Sequence, residues 1–344
     1  MFQKMLFKGL RWVLSPFSLL YALVLQIRNK LFDLNILKQT SFNIPVIAVG
    51  NLSVGGTGKT PQIEYLIRLL QDDYTIAVLS RGYKRKSKGL VIATDKTTVE
   101  DIGDEPFQFF KKFQNITVAV DTDRVNGIQQ LLKSYPKTNL VLLDDAFQHR
   151  KVKANFYILL TAYKQRYTQD YVLPLGDLRE ARSGAKRANA IVVTKCPANL
   201  SAQERSEIVK EINPTKSQQV FFSSIAYDTT VQSEIDRISL QDLIDYEVVL
   251  VTGIAKPEPL VKYLTLKNIK FKHLKFPDHH NFTSTDIELI QQFYAGINKP
   301  KKLILTTEKD MTRLSGMLKK VYALGIKTAL LNSEKFDSFV KKEI

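Results

Sequence analysis

The stretch from Val46 to Leu70 reads VIAVGNLSVGGTGKTPQIEYLIRLL, and it decides the fold. Its first four residues, Val46-Ile47-Ala48-Val49, form an apolar, partly β-branched run of the kind that fills a strand buried on both faces of a parallel sheet. A glycine-dense turn follows and ends in Gly58-Lys59-Thr60. After Pro61, the residues Ile63, Leu66, Ile67 and Leu70 recur at helical spacing. Strand, glycine loop and helix thus come in the order of a phosphate-binding loop. Backbone N–H groups of Ser53, Val54, Gly55, Gly56, Thr57 and Gly58 can wrap phosphate oxygens, and the helix N-terminus favours their charge. Lys59 would reach the β and γ phosphates, and the Thr60 hydroxyl would ligate Mg²⁺. The usual G-x-x-x-x-G-K-[ST] spacing puts Ser53 where a glycine is common, so this is a variant loop, with Gly55 and Gly56 supplying the freedom. A glycine-rich turn that binds nothing is the bland alternative.

Working outward, 344 residues suffice for two domains of ordinary size. One cysteine, Cys196, excludes an internal disulfide and a cysteine-ligated zinc site, as suits a reducing compartment. Lys and Arg number 50 against 34 Asp and Glu, a net charge of +16 that implies a polyanionic neighbour. The basic residues are spread along the chain without an RNA-module or Cys/His-finger signature, which favours an anionic membrane over nucleic acid.

Residues 1–40 support the membrane reading. Lys4, Lys8 and Arg11 precede the apolar run Trp12 to Ile27, and Arg28 and Lys30 follow it. That run, interrupted by Ser15, Pro16 and Ser18, falls short of the ~20 residues needed to cross a bilayer, and no cleavage site follows it. The expected structure is a helix in the membrane interface, with Trp12, Phe17 and Tyr21 as anchors. A buried core helix is the alternative.

Downstream, strands are expected at Thr75–Leu79, Ile116–Val120, Leu140–Leu143, Phe156–Leu160 and Ala190–Val193. Ligands of open α/β sheets gather beyond the carboxyl ends of strands. The basic loop Ser80 to Gly89, with Arg81 and Tyr83, and Arg124 after the third strand, are therefore candidates for holding phosphate. Gly103-Asp104-Glu105-Pro106 opens a helix, and two readings stand: the acids cap it, or they do chemistry. Leu140-Val141-Leu142-Leu143 followed by Asp144-Asp145 has the form of a Walker B strand, whose carboxylate holds Mg²⁺. The loop Leu173 to Glu180 offers a further carboxylate to metal or substrate. After about residue 220 a smaller α/β pattern restarts without a second phosphate loop, with strands expected at Val248–Val251, Phe271–Phe276 and Leu303–Thr307, the last followed by a loop through Glu308-Lys309-Asp310. Asp278-His279-His280 fits proton transfer by a carboxylate-oriented histidine better than a metal site, because adjacent histidines diverge and no second pair lies nearby. The expected fold is α/β: a P-loop NTPase-like parallel sheet domain over 41–222, a second, smaller α/β domain over 223–344, and an N-terminal membrane-interface helix within 1–40.

Together, GNLSVGGTGKTP, LSRGYKRKSKG, GDEP, the Asp-Arg at 123–124, LLDDAFQHR, LPLGDLRE, FPDHHNF and TTEKD resemble, in this order, the tetraacyldisaccharide 4′-kinases of lipid A biosynthesis. Ser53 is then no departure, since that family lacks glycine there. Ala146 stands where a glycine is common and Ala181 where a proline often follows Leu-Arg-Glu. The resemblance implies an ATP- and Mg²⁺-dependent kinase at the cytoplasmic face of the bacterial inner membrane, peripheral or monotopic. It would phosphorylate the 4′-hydroxyl of a lipid disaccharide 1-phosphate, with no nucleic acid and no obligate protein partner implied. Carried over by position, Asp104 is the base and His279 its partner, with Asp278 and Arg124 beside them. Ser53 to Thr60 hold ATP. Thr60, Asp144, Asp145, Gln148 and Glu180 gather about the metal, and Arg81 and Tyr83 meet the substrate. A P-loop ATPase or GTPase switch on a membrane, and a nucleic-acid-binding ATPase, are the competing functions.

Overall fold

The computed structural model describes residues 13–344. Lys4, Lys8, Arg11 and Trp12, the basic flank and one anchor expected above, lie outside the described residues.

Strand β1 (Val46–Asn51) is wholly buried, and its side chains enter two cores alternately: Ile47 and Val49 one, Val46 and Ala48 the other. That is the two-residue period of a strand covered on both faces. Helix α2 (Lys59–Leu70) lays Ile63, Leu66, Ile67 and Leu70 into the first core. Parallel neighbours follow at β2 (Ile76–Ser80), β4 (Thr117–Val120), β5 (Leu140–Asp144), β6 (Phe156–Ala162) and β7 (Ala190–Thr194), with the short β3 (Val91–Ile92) antiparallel at the edge. Helices α3 (Val99–Ile102), α4 (Asp104–Lys112), α5 (Arg124–Ser134) and α6 (Ala202–Ile212) complete this half. Strand β1 sits between β5 and β6. The chain runs outward in opposite directions on its two sides, so the switch point, and the crevice it opens at the strand ends, lies at the glycine loop.

The 14-residue β8 (Gln219–Gln232) begins parallel to β7 and continues antiparallel to β13 (Val321–Leu330), so one sheet runs through both halves. Its far side carries β9 (Arg237–Ser239), β10 (Glu247–Thr252), β11 (Lys270–Lys275) and β12 (Lys302–Thr307), flanked by α7 (Glu258–Leu266) and α8 (Ser284–Ala295). Residues of β10 again alternate between two cores, Val248 and Leu250 in one, Val249 and Val251 in the other.

Two features differ from the sequence reading. Glu308-Lys309-Asp310, expected as a loop, is the first turn of α9 (Glu308–Leu314), because the Thr307 side chain accepts from the Asp310 N–H and caps that helix. The final helix α10 (Ser333–Glu343) leaves the second half and packs Phe336 and Val340 into the core beneath α2. Burying those two side chains is worth about 1.5–3 kcal/mol each, and it ties the chain end to the first half.

Helix α1 (Ser15–Asp33) inverts the pattern of an ordinary surface helix. Phe17, Leu20, Val24 and Ile27 face outward, each more than half exposed, whereas Ser18 is buried and its hydroxyl donates to the Val172 carbonyl at 2.6 Å. Among the described residues no helix is long and apolar enough to cross a membrane.

Candidate active site

The glycine loop is held open from beneath by the segment Leu173 to Glu180. Ser53 forms an isolated antiparallel bridge with Leu178, the Val54 N–H donates to the Asp177 carbonyl at 2.7 Å, and the Arg179 N–H to the Leu52 carbonyl at 2.6 Å. This bracing keeps residues 52–54 extended, which explains a serine where a glycine is usual. Gly58, at φ 90°, turns the chain into α2 through a left-handed conformation that a side chain would strain. The Thr194 hydroxyl donates to the Thr57 carbonyl at 2.7 Å and closes the other wall.

Lys59 emerges from this loop, 3.4 Å from Asn51 Oδ1 and 3.6 Å from Asp145 Oδ1. Asp145 is also gripped by Arg179, at 2.8 Å. Burial pushes the Asp145 carboxyl up, but the Lys59 and Arg179 charges outweigh it and hold it below the usual carboxylate range. Asp144 is different. Burial, and then the Asp145 charge, push its carboxyl up to about 6, although Lys59 opposes the shift. Its Oδ2 accepts from the Ser80 hydroxyl at 3.2 Å, while its Oδ1 is buried without a partner. An unsatisfied buried carboxylate oxygen at a strand end suits a cation.

Gln148 and Glu180 form a second tier. The Gln148 amide donates to the Asn51 carbonyl at 2.8 Å and to Glu180 Oε1 at 3.0 Å, and its own Oε1 is buried and unpartnered. Glu180 spends both oxygens elsewhere: Arg187 donates to the two of them, and Asn29 of helix α1 donates to Oε2 at 2.9 Å. Its carboxylate therefore acts on the site through Gln148. Arg124 is buried beside the Walker B strand end, its guanidinium donating to the carbonyls of Asp121 and, at 3.5 Å, Asp144. Burial lowers that guanidinium to about 10, which leaves it charged at neutral pH.

Above this floor, Asp104 begins helix α4 after Gly103, which has φ 90° and packs against the Tyr83 carbonyl. Asp104 is 2% exposed. Its Oδ2 lies 2.8 Å from His279 Nδ1, and its Oδ1 accepts from Arg313 Nε at 2.7 Å. Burial alone would raise the Asp104 carboxyl, but the hydrogen bonds from His279 and Arg313 hold it below the usual carboxylate range. The neighbouring Glu105 is close enough to Asp144 to add to its upward shift, so the Walker B end and the GDEP turn share one electrostatic environment. Asp278 approaches His279 Nε2 at 4.0 Å, and the Tyr83 ring meets the His279 ring edge-on at 5.8 Å. Arg81, exposed, acts electrostatically on Arg124. A cavity of about 550 Å³ opens among Arg81, Tyr83, Arg85, Lys88 and Thr122.

These contacts bring GDEP, DHH and TTEKD together from three distant parts of the chain, and set the basic loop beside them. Residues 10–344 match a family model described as tetraacyldisaccharide-1-P 4′-kinase. The chain belongs to the tetraacyldisaccharide 4′-kinase family. Relatives carrying the name tetraacyldisaccharide 4′-kinase include one from Flavobacterium johnsoniae, 53% identical over 94% of this chain and 94% of that protein. Another, from Bacteroides thetaiotaomicron, is 45% identical over 94% of this chain and 90% of that one. Among solved structures, a crystal structure of LpxK from Aquifex aeolicus, described as in complex with ATP, superposes with a TM-score of 0.79 at 33% identity, covering 97% of this chain and 99% of that chain. For a member of the 4′-kinase family, the sequence pattern pointed to the loop, the Walker B pair, Asp104 and His279. It did not mark Asn51, Arg179, Arg187, Lys309 or Arg313, each of which has at least one partner remote in sequence.

Proposed function

We infer that this chain transfers the γ-phosphoryl group of ATP to the 4′-hydroxyl of a tetraacyldisaccharide 1-phosphate, giving the bisphosphorylated lipid A precursor. The family supports this reading, and the approach of Asp104 to His279 carries the site assignment. Residues 41–222 act as the nucleotide unit, 223–344 as the unit that brings His279 over it, and the helix within 1–40 as the membrane contact.

In the proposed reaction, N–H groups of Ser53 to Gly58 hold the ATP phosphates, and Lys59 exchanges Asn51 and Asp145 for phosphate oxygens. Thr60, Asp144 and the unpartnered Gln148 oxygen fit a magnesium ion or its water shell, which when bound would offset charge on the phosphates. Asp145, kept ionised, balances Lys59 before nucleotide arrives, and Glu180 fixes Gln148. Arg124 supplies positive charge at the strand end, and Arg81 and Tyr83 face the acceptor. A carboxylate offers about four lone-pair sites, so Asp104 can accept from His279, Arg313 and a sugar hydroxyl together. As the acceptor oxygen bonds the γ phosphorus, its proton passes to Asp104 and the bond to the ADP bridging oxygen breaks. Asp278 and His279 orient the base.

The acceptor carries four acyl chains, and drawing each CH₂ into water costs about 0.8 kcal/mol. The enzyme therefore works at a bilayer, for which the outward apolar face of α1 and the net charge of +16 are suited. An anionic inner-membrane surface facing the cytoplasm, where ATP is available, meets these needs. The test is transfer of label from γ-labelled ATP by the purified full chain in mixed micelles. Label is expected in the disaccharide when its 4′-hydroxyl is free. Release of inorganic phosphate alone would refute the reading.

A further inference from the structure

Helix α9 carries TTEKD into the site, and two of its side chains reach the Asp104–His279 pair. Lys309 and Arg313 stand four residues apart, on one face of the helix. Arg313 donates through Nε to Asp104 Oδ1 at 2.7 Å. Its Nη1 donates to the carbonyls of His279 at 3.3 Å and His280 at 3.4 Å, and to Asn281 Oδ1. One guanidinium thus ties the carboxylate to the loop that carries the imidazole. That loop holds His279 at φ 58°, a conformation uncommon outside glycine, and the His279 N–H is fixed to the Gly253 carbonyl at 3.0 Å.

Lys309 takes the other end of the imidazole. Its Nζ lies 3.0 Å from His279 Nε2, 3.5 Å from Asp278 Oδ1 and 3.8 Å from Glu105 Oε1. An ammonium has three donors and no acceptor. His279 Nε2 must therefore accept, and a nitrogen that accepts carries no proton. The ring proton then sits on Nδ1 and is donated to Asp104 at 2.8 Å. The charged and titratable groups around the ring are Asp104 and Glu105 of helix α4, Lys309 and Arg313 of α9, Asp278 of its own loop, and Tyr83 of the basic loop. Of these, Lys309 faces Nε2 at the shortest distance.

We propose that Lys309 and Arg313 are positioning residues for the phosphoryl transfer, Lys309 by confining the His279 proton to Nδ1 and Arg313 by aiming Asp104. The consequence is specific. If the ring gained a second proton, at Nε2, the imidazolium would clamp Asp104 as an ion pair and compete with the sugar hydroxyl for its lone pairs. The Lys309 ammonium occupies the Nε2 lone pair that such a proton would need. The two cations come from one helix of the second half, while Asp104 belongs to the first, so the base is complete only when the halves meet. This inference rests on Asp104 being the proton acceptor.

The test uses the full chain in micelles, with turnover measured beside the ¹⁵N signals of the labelled His279 ring. In the parent one protonated and one unprotonated ring nitrogen are expected at neutral pH. Lys309→Met should lower kcat by about 10- to 100-fold, the scale of one charge-assisted hydrogen bond, with the KM for ATP changed by less than about 2-fold. Its ring should shift toward two protonated nitrogens. Lys309→Arg should recover most of the turnover, whereas Arg313→Lys, which loses the planar fork, should not. Lys309→Gln and the thermal midpoints guard against loss of fold. Turnover of Lys309→Met and Arg313→Met at the parent rate, or an unchanged ring signature in Lys309→Met, would overturn the proposal. Asp104→Asn separates the two levels: if it retains turnover, the acceptor assignment fails. If it is inactive while Lys309→Met is fully active, only the positioning role fails.

Discussion

Lys112, the last residue of the helix that Asp104 opens, ties three elements together. Its ammonium lies 2.7 Å from Glu64 Oε2 on helix α2 and also meets Glu308 Oε1 at the start of α9. The Glu64 side chain is 1% exposed, and those of Lys112 and Glu308 are each 21% exposed. Lys112→Met removes the charge and keeps the length. Glu64 retains Arg68 at 3.0 Å and the Gln108 amide at 2.9 Å, so the loss falls on Glu308, whose second oxygen is already unpartnered. Breaking a buried pair in this way costs about 3–5 kcal/mol. With a urea slope of about 3 kcal/mol/M, the unfolding midpoint should drop by about 1 to 1.7 M.

The deficit should depend on pH with a defined sign. Burial, and then the Glu64 charge, already raise the Glu308 carboxyl above its ordinary value even with Lys112 present. A carboxyl with a raised folded-state pKa binds protons more readily folded than unfolded, so stability rises as pH falls through that value and levels off below the ordinary 4.5. Urea titrations of Lys112→Met at neutral pH and near pH 5 should therefore show the smaller deficit at the lower pH, and adding Glu308→Gln should restore part of the midpoint at neutral pH. A midpoint within about 0.2 M of the parent at neutral pH would refute the reasoning.

Gly103→Ala would place a Cβ 2.9 Å from the Tyr83 carbonyl oxygen at φ 90°, so either the helix start or the basic loop must shift. Turnover should fall by about 10-fold or more with little change in nucleotide affinity, measured by steady-state kinetics and a fluorescent nucleotide titration; parent kinetics would count against the close approach. Replacing Leu20, Val24 and Ile27 together by Ser, on the outward face of α1, should weaken binding to anionic vesicles by about 100-fold. The thermal midpoint should hold, because all three are more than half exposed. Flotation at the parent level would remove α1 as the membrane contact.

Much of this architecture was legible because local chemistry dictates it. A β-branched run before glycines, a Lys-Thr, and an apolar stripe at helical spacing leave few alternatives to a strand, a phosphate loop and a helix. Asp144 and Asp145 were legible as a pair but not as individuals. One is pushed toward protonation and the other held ionised by Lys59 and Arg179, and those partners are set by folding rather than by neighbours in sequence. Asp104 could have been a helix cap. It is instead buried against His279 and Arg313, 175 and 209 residues away. Helix α10 shows its apolar face through Phe336, Phe339 and Val340, yet nothing local says that this face returns to the first half, where Phe339 meets Phe156. Lys309 and Arg313 were hidden for a simpler reason: a cation on a short helix has the composition of a solvated face until its partners are in place.

Single-turnover phosphoryl transfer by Asp104→Asn, with ATP affinity measured on the same sample, tests the central claim most directly. The substitution keeps the shape of the side chain and removes its ability to take the acceptor's proton. Transfer to the disaccharide should fall by about 10² to 10⁴ while ATP binds as it does to the parent. Transfer at the parent rate would contradict the assignment of Asp104 and, with it, the account of how the two halves build one site.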